Sequence, residues 1–146
     1  MKIRSMTIED YEVVYQLWLS TPGMGLNSLD DSRDGIKKYL NRNPNTCLVA
    51  EKENLIVGVI MCGHDGRRGY IYHTAVTAAE RGNGIGGALV RAALSALEEE
   101  GINKAALVVF SNNETGNSFW EKYGFTLRGD LIYRNKTIKV SIRLNT

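Results

Sequence analysis

The sequence predicts an α/β domain in which a mixed central sheet is flanked by helices. Short apolar segments rich in β-branched residues alternate with segments of helical periodicity, and turn residues separate them. A glycine-rich turn from Arg81 to Gly87 also joins a strand to an amphipathic helix. Together these observations give the element order β-α-α-β-β-β-α-β-α-β-β, which is typical of a layered α/β fold.

The first half of the chain is expected to form two helices and three strands. Thr7, with Asp10 three residues later, is typical of a helix N-cap with an acidic first turn. Gly35 interrupts the pattern of the second helix, and Lys52-Glu53-Asn54 gives a tight hairpin turn. The predicted elements are a strand at 2–6, helices at 7–20 and 32–40, and strands at 47–51 and 55–64.

The second half begins with a turn at Asp65-Gly66 that leads into an apolar strand. The helix after the glycine-rich turn has apolar residues at helical spacing, and Gly101 is placed to end it. Gly124 is placed to end a second, shorter helix. The predicted elements are a strand at 71–76, a helix at 85–100, a strand at 104–110, a helix at 113–123, and strands at 126–132 and 136–144.

Length and composition favour one globular domain over residues 1–146. The chain has 43% hydrophobic and 23% charged residues, which is ordinary for a packed domain. A net charge of +2 does not predict nucleic-acid binding. No apolar run approaches the ~18 residues of a membrane span, and no signal peptide is recognised. We therefore expect a cytoplasmic protein without a membrane partner, and a homodimer is one option for its assembly.

The glycine-rich turn is expected to bind an anion. Gly82, Gly84, Gly86 and Gly87 have no Cβ, so a ligand can approach the backbone closely. The first amides of a helix are unpaired, and the positive end of the helix dipole favours a phosphate there. Arg81 adds a charge-assisted donor.

Two familiar phosphate motifs do not fit the turn. The string Gly82-x-Gly84-x-x-Gly87 satisfies the dinucleotide pattern, but residues 77–81 separate it from the preceding strand. The next strand ends in Ser111-Asn112-Asn113, without the carboxylate that would hold a ribose. Gly86-Gly87-Ala88 likewise lacks the lysine and hydroxyl of a P-loop.

The turn instead resembles motif A of the GNAT superfamily of N-acetyltransferases. The shared pattern is Arg81-x-x-Gly84-x-Gly86, set a few residues after a strand that ends in valine. Asn113, Trp120 and Gly124-Phe125 fall in the register of the family's second motif. Residues 1–21 are similar to its first strand and helix, so the resemblance covers nearly the whole chain.

This resemblance implies an acetyl-CoA-dependent N-acetyltransferase, in which a primary amine attacks the thioester directly in a ternary complex. The acceptor would be a small molecule or an amine of a peptide or protein. The turn would bind the pyrophosphate, and the preceding strand end would bulge and bind the pantetheine arm. Asn113 would either hold this arm from the other side or only cap the short helix. The implied cofactor-binding residues are Thr74, Ala75, Val76, Arg81, Gly82, Asn83, Gly84, Ile85, Gly86, Gly87, Asn113 and Trp120.

The expected proton-transfer residues depart from the family pattern. Tyr70 stands where many relatives have a carboxylate base, and Trp120 stands where many have a tyrosine acid. Alternation along the strand would place Tyr70, Tyr72, Thr74 and Val76 on one face, and His73 and Ala75 on the other. Tyr70 and Tyr72 are therefore the candidate catalytic residues, since a phenol is a reasonable acid toward a thiolate. Histidine is better suited to a base, but alternation points His73 toward a packed helix, as in a core histidine.

Other interpretations remain open from the sequence. With the usual acid and base replaced, the domain could act as a catalytically weak acyl-CoA sensor or partner-binding module, and NAD(P) binding would indicate an oxidoreductase instead. Asp30, Asp31 and Asp34 either attract a cationic acceptor or begin a helix. Cys47 and Cys62 are expected to be buried hydrophobic residues, and no metal site is predicted.

Overall fold

The computed structural model describes residues 1–144, and this range contains five strands and four α-helices. They are β1 (Lys2–Ser5), α1 (Tyr11–Leu19), α2 (Arg33–Arg42), β2 (Leu48–Lys52), β3 (Leu55–His64), β4 (Gly69–Val76), α3 (Ile85–Glu99), β5 (Ala105–Ala106) and α4 (Glu114–Lys122). Short 3₁₀ turns at Ile8–Asp10 and Ala78–Glu80 precede α1 and the glycine-rich turn. Among the described helices, none is both long and apolar enough to span a bilayer.

The five strands form one mixed sheet in the order β1-β2-β3-β4-β5. The first four strands pair antiparallel, whereas β5 runs parallel to β4. A parallel pair needs a crossover connection, and α3 supplies it. The predicted α/β fold with a mixed sheet flanked by helices is thereby confirmed.

Helices cover both faces of this sheet. On one face, Val14 and Trp18 of α1 and Ile36 of α2 pack on the sheet, and all three are buried. On the other face, α3 packs its apolar stripe on the central strands. A Cβ on Gly58 of β3 would lie 3.0 Å from Leu89 Cδ1, so the glycine lets α3 lie close to the sheet.

Local hydrogen bonds fix the starts of the first two helices, and the sequence predicts the first of these caps. The Thr7 amide donates to Asp10 Oδ2 at 2.9 Å in a capping box ahead of α1. Ser32 Oγ accepts from the Gly35 amide at 3.0 Å and caps α2. A Cβ on Gly35 would overlap the carbonyl oxygen of Leu29, which explains a glycine in the first turn of a helix.

The C-terminal strands are the part of the prediction that is wrong. β5 is only Ala105–Ala106 rather than 104–110, and no strand forms over 126–132 or 136–144 in the described chain. A strand needs a neighbouring edge to pair with, and residues after 106 do not extend the sheet to provide one. The tail pairs instead with the segment after α1, where the Ser28 amide donates to the Ile142 carbonyl at 2.9 Å and the Leu144 amide to the Leu26 carbonyl at 2.9 Å.

Candidate functional site

The glycine-rich turn ahead of α3 presents a row of unpaired backbone amides. Within residues 1–144, the N–H groups of residues 82–87 donate to no acceptor, and the first helical bond runs from Ala88 N to Gly84 O at 3.1 Å. Gly82 and Gly84 adopt left-handed backbone conformations, with φ of +84° and +79°. Unpaired amides at a helix N-terminus can hold an anion through the backbone alone.

The four glycines of this turn have two different structural roles. Nothing lies within 4 Å of the place that a Cβ would take on Gly82 or Gly84, so a ligand can approach there. A Cβ on Gly86 would lie 3.0 Å from Phe119 Cε1, and one on Gly87 would overlap the hydroxyl of Tyr123. The missing side chains of Gly86 and Gly87 therefore allow α4 to pack on α3. These two glycines would contribute only their backbone amides to the predicted anion site.

Arg81 joins the turn to the end of β4. Its Nε donates to the Val76 carbonyl at 3.0 Å, and the side chain is exposed. This bond holds the guanidinium across the turn, where its remaining N–H groups can reach an anion. The Val76 carbonyl is thus already an acceptor within the chain.

One edge of β4, the strand before the turn, is mostly unpaired with the parallel strand β5. β4 and β5 pair only at Gly69 with Ala105 and at Tyr70 with Ala106. From Ile71 onward β4 pairs with β3 alone, so its other edge has backbone groups available for an extended ligand.

A β-bulge in β4 changes which layer each side chain contacts. The pairing shifts between Ile60 with Thr74 and Cys62 with Ile71, which gives β4 one extra residue at this point. Ile71 packs in the layer of α3, whereas Ala75 packs in the layer of α1. Strict alternation would place residues 71 and 75 on one face, so the predicted alternation fails between them.

The bulge places His73 on the same face as Tyr72. The His73 ring lies 5.0 Å from the Trp18 ring of α1, and the Tyr72 ring lies 5.7 Å from the Tyr39 ring of α2. Tyr70 lies 4.7 Å from Tyr72, ring to ring, as expected for two residues that share a face. Tyr70 and Tyr72 thus share their face with His73 and Ala75, and not with Val76 as predicted.

His73 forms a hydrogen-bonded pair with Asp31. The distance from Nε2 to Asp31 Oδ1 is 2.7 Å, and the side chains are 15% and 5% exposed. The second carboxylate oxygen of Asp31 accepts from the Asn27 amide at 2.8 Å. Both oxygens of a nearly buried carboxylate are therefore used to fix its position and that of the imidazole.

These residues line an open cleft of about 730 Å³ between α2, β4 and the segment before α2. Its lining includes Tyr39, Tyr70, Tyr72, His73, Asp30 and Asp31. Tyr72 is 53% exposed. Burial, followed by the neighbouring Tyr133, raises the pKa of Tyr70 and of Tyr72, so both phenols keep their protons at neutral pH. The residues named here give the cleft three phenols, an imidazole and two carboxylates.

Asn113 is the N-cap of α4, and Trp120 lies within this helix. Asn113 Oδ1 accepts from the Gly116 amide at 2.9 Å and caps the helix. Its Nδ2 donates to no acceptor in the described part of the chain and remains available for a ligand. The Trp120 ring packs on Phe119 at 5.0 Å and on Phe125 at 5.3 Å, and the side chain is half-buried.

The two cysteines lie outside this site. Cys47 and Cys62 are fully buried in opposite layers, and burial raises the pKa of each thiol to about 12. They behave as the small buried hydrophobic residues that the sequence predicted. No group of three or more metal-ligating side chains comes together among residues 1–144.

Sequence reasoning missed the contact between His73 and Asp31. Asp31 was expected to attract a cationic acceptor or to begin a helix, and His73 was considered as a base but preferred as a core residue. The two residues are 42 positions apart, and the bulge that turns His73 toward Asp31 has no glycine or proline to mark it. Only the acidic segment at 30–34 hinted at the cleft.

Comparison with known proteins identifies the domain. A sequence profile described as "Acetyltransferase (GNAT) family" matches residues 11–125. An acetyltransferase of Sodalis glossinidius is 33% identical over 138 residues, which are 94% of this chain and 96% of that protein.

Solved structures share the fold. Ard1 from Thermoplasma volcanium superposes with a TM-score of 0.78 at 25% identity, over 87% of this chain and 83% of that one. The PaiA N-acetyltransferase from Thermoplasma acidophilum, solved in complex with coenzyme A, superposes with a TM-score of 0.75 at 20% identity, over 87% and 90% of the two chains. The matched profile spans the cleft, the pair of strands β4 and β5 and the glycine-rich turn described above. This chain therefore belongs to the GNAT family of acetyltransferases.

Proposed function

We propose that this acetyltransferase uses acetyl-CoA and transfers the acetyl group to a primary amine, which attacks directly while both substrates are bound. The observation that carries the proposal is the row of unpaired amides at residues 82–87, which follow a strand, β4, whose edge beyond Tyr70 is not paired with β5. The first feature suits a pyrophosphate and the second an extended pantetheine arm. The coenzyme A bound to PaiA supports the same cosubstrate here.

Each part of acetyl-CoA has a matching group in the chain. The pyrophosphate would bind the amides of Gly82, Asn83, Gly84, Ile85, Gly86 and Gly87 and the guanidinium of Arg81. The pantetheine arm would pair with the free edge of β4 at Thr74 and Ala75, with Asn113 Nδ2 donating from the opposite side. Val76 would lie beside the arm at the strand end, where its carbonyl already accepts a hydrogen bond from Arg81 Nε.

Acetyl-CoA supplies an activated thioester, and the chain must position the amine and handle protons. Tyr72 and Tyr70 are the candidate acids for the leaving sulfur, because burial keeps both phenols protonated. Trp120 has no ionisable group and would act as an apolar wall beside the thioester. The cleft on the α1 face would receive the amine, since it lies against the same strand.

Two measurements test this function. Acetyl-CoA should raise the melting temperature, while NAD and ATP should change it little, because the turn lacks the ribose carboxylate and the P-loop lysine that those ligands need. Release of free thiol from acetyl-CoA should then depend on an added amine. Stabilisation by NAD but not by coenzyme A would refute the proposal. Coenzyme A binding without amine-dependent thiol release from any amine would favour a sensor.

A further inference from the structure

We propose that His73 accepts the proton of the acceptor ammonium and that Asp31 positions His73 for this role. The inference rests on the proposed function, because it concerns the amine side of the same reaction. It assigns the cleft to a primary-amine acceptor, which is deprotonated beside the pair formed by Asp31 and His73.

The position of His73 comes from the bulge in β4. His73 and Ala75 face the α1 layer, two residues apart, which corresponds to about 7 Å along a strand. A base at that position is within reach, directly or through one water, of an amine that attacks a thioester held at Ala75. Without the bulge, strict alternation would place His73 on the same face as Ile71, in the layer of α3 and opposite Tyr72. The extra residue therefore brings the base and the candidate acid to one cleft.

The hydrogen bonds of the imidazole favour a base at one defined atom. The Nε2–H donates to Asp31 Oδ1 at 2.7 Å, which leaves the lone pair on Nδ1. Nδ1 forms no hydrogen bond within residues 1–144. Asp31 is nearly buried and its other oxygen is held by the Asn27 amide, so the carboxylate cannot turn away and release the ring. A carboxylate that fixes the tautomer of a histidine is a recurring arrangement for a base.

Other groups in the cleft are less suited to this role. Tyr70 and Tyr72 remain protonated, so they can donate but not accept a proton at neutral pH. Asp30 is bound by the Asn27 side chain at 3.0 Å. The other histidine, His64, uses both ring nitrogens, with Glu100 at 2.8 Å and the Gly66 amide at 2.9 Å.

The proton balance requires one base and one acid. The nitrogen–carbon bond to the acetyl group forms as the carbon–sulfur bond breaks. The ammonium loses two protons in becoming an amide, and His73 takes the first and passes it to solvent. The second reaches the leaving sulfur, with Tyr72 or Tyr70 as the candidate donor.

The test compares variants that keep the packing of the site. His73→Gln retains an amide donor toward Asp31 but has no basic nitrogen, so kcat should fall about 10²-fold with unchanged coenzyme A affinity. Asp31→Asn should also lower kcat through loss of ring orientation. Imidazole added to His73→Ala should restore part of the rate. Glu12→Gln, which breaks an exposed contact with Arg33 outside the cleft, is the control and should keep the wild-type rate.

The pH profile separates a base from a structural residue. Tyr11 on α1 donates to the Asp31 carbonyl at 2.6 Å. The other titratable and charged residues of the cleft are Asp30 and Asp31 before α2, Lys38, Tyr39 and Arg42 on α2, His64 at the end of β3, Asp65 and Arg68 in the turn after it, and Tyr70 and Tyr72 on β4. An imidazole that acts as the base gives kcat/KM an acidic limb, which should be present in the wild type and absent in folded His73→Gln.

The outcomes distinguish the inference from the function. Amine-dependent thiol release by the wild type is measured first, with 1,4-diaminobutane, L-lysine and an alanyl tripeptide as acceptors. A wild-type rate and an unchanged pH profile in folded His73→Gln would overturn the inference and leave the function standing. A wild type that releases no thiol with any of these amines would overturn both. Loss of rate in His73→Ala without rescue by imidazole, together with an unchanged pH profile in His73→Gln, would mean that His73 is structural.

Discussion

Gly84 and Gly101 lie at opposite ends of α3 with the same left-handed backbone, since φ is +79° at each residue. Nothing lies within 4 Å of the place that a Cβ would take on either glycine. The two residues therefore have the same conformational strain toward substitution but differ in what lies beside them. Gly84 borders the unpaired amides of the turn, and Gly101 ends the helix far from them.

This pair provides a controlled test of the anion site. Gly84→Ala and Gly101→Ala should each lower the free energy of unfolding by about 1 kcal/mol, because a Cβ disfavours this backbone conformation. Only Gly84→Ala should also weaken coenzyme A binding, by tenfold or more, because its Cβ enters the space left for the phosphate. Titration calorimetry on both folded variants measures the difference. Equal affinities would show that the turn is only a helix start.

Asn113 offers a second test, because its two side-chain atoms have separate roles. Serine is also a good N-cap, so Asn113→Ser should keep the stability of α4 while removing the free Nδ2 donor. We expect coenzyme A affinity to fall about five- to tenfold, the value of one lost hydrogen bond. Asn113→Ala should lose the same affinity and about 1 kcal/mol of stability as well. Wild-type affinity in the serine variant would limit Asn113 to capping.

Trp120 and Tyr72 are expected to respond differently to removal of polar or bulky atoms. Indole cannot protonate a thiolate, so Trp120→Phe should keep most of kcat and mainly raise the acceptor KM. Tyr72→Phe removes a candidate acid and should lower kcat by roughly 10²-fold with coenzyme A binding intact. Steady-state kinetics with both substrates varied would measure these effects. A large kcat loss in Trp120→Phe alone would reverse the two assignments.

Much of the fold could be predicted because its signals are local. The capping pair Thr7 and Asp10 and the glycine-rich turn each act within a few residues, and both lie where the sequence placed them. The sheet edge is different, because a strand exists only if a distant segment pairs with it. Residues 126–144 have the composition of two strands but lack an edge to join, which composition alone does not reveal.

The site shows the same division between local and distant information. The unpaired amides follow from the glycine pattern, and Tyr70 and Tyr72 follow from simple alternation up to the bulge. The orientation of His73 depends on the register of β3 against β4, and its contact with Asp31 depends on the packing of the segment before α2. Neither relationship can be predicted from the spacing of residues along the chain.

The buried thiols predict how stability changes at alkaline pH. Burial raises the pKa of Cys47 and of Cys62 from 9.0 to about 12 in the folded protein. Between these values the unfolded chain loses thiol protons that the folded chain keeps, so the folded state binds more protons and stability falls as pH rises. The contribution is complete below pH 9 and is lost toward pH 12. Each thiol should lower the free energy of unfolding by up to about 1.4 kcal/mol per pH unit in this window.

Urea unfolding under reducing conditions at pH 8, 9 and 10 would measure this slope. The pH limit matters, because burial also raises the pKa of Tyr11, from 10.0 to about 12, and its effect begins at higher pH. Cys47 Sγ donates to the Cys62 carbonyl at 3.1 Å, so Cys47→Ser keeps a donor there without titrating in this range. Combined with Cys62→Ala it should be less stable at pH 8, yet its stability should decline less between pH 9 and 10. An unchanged slope in the double variant would mean that the thiols do not cause the alkaline loss.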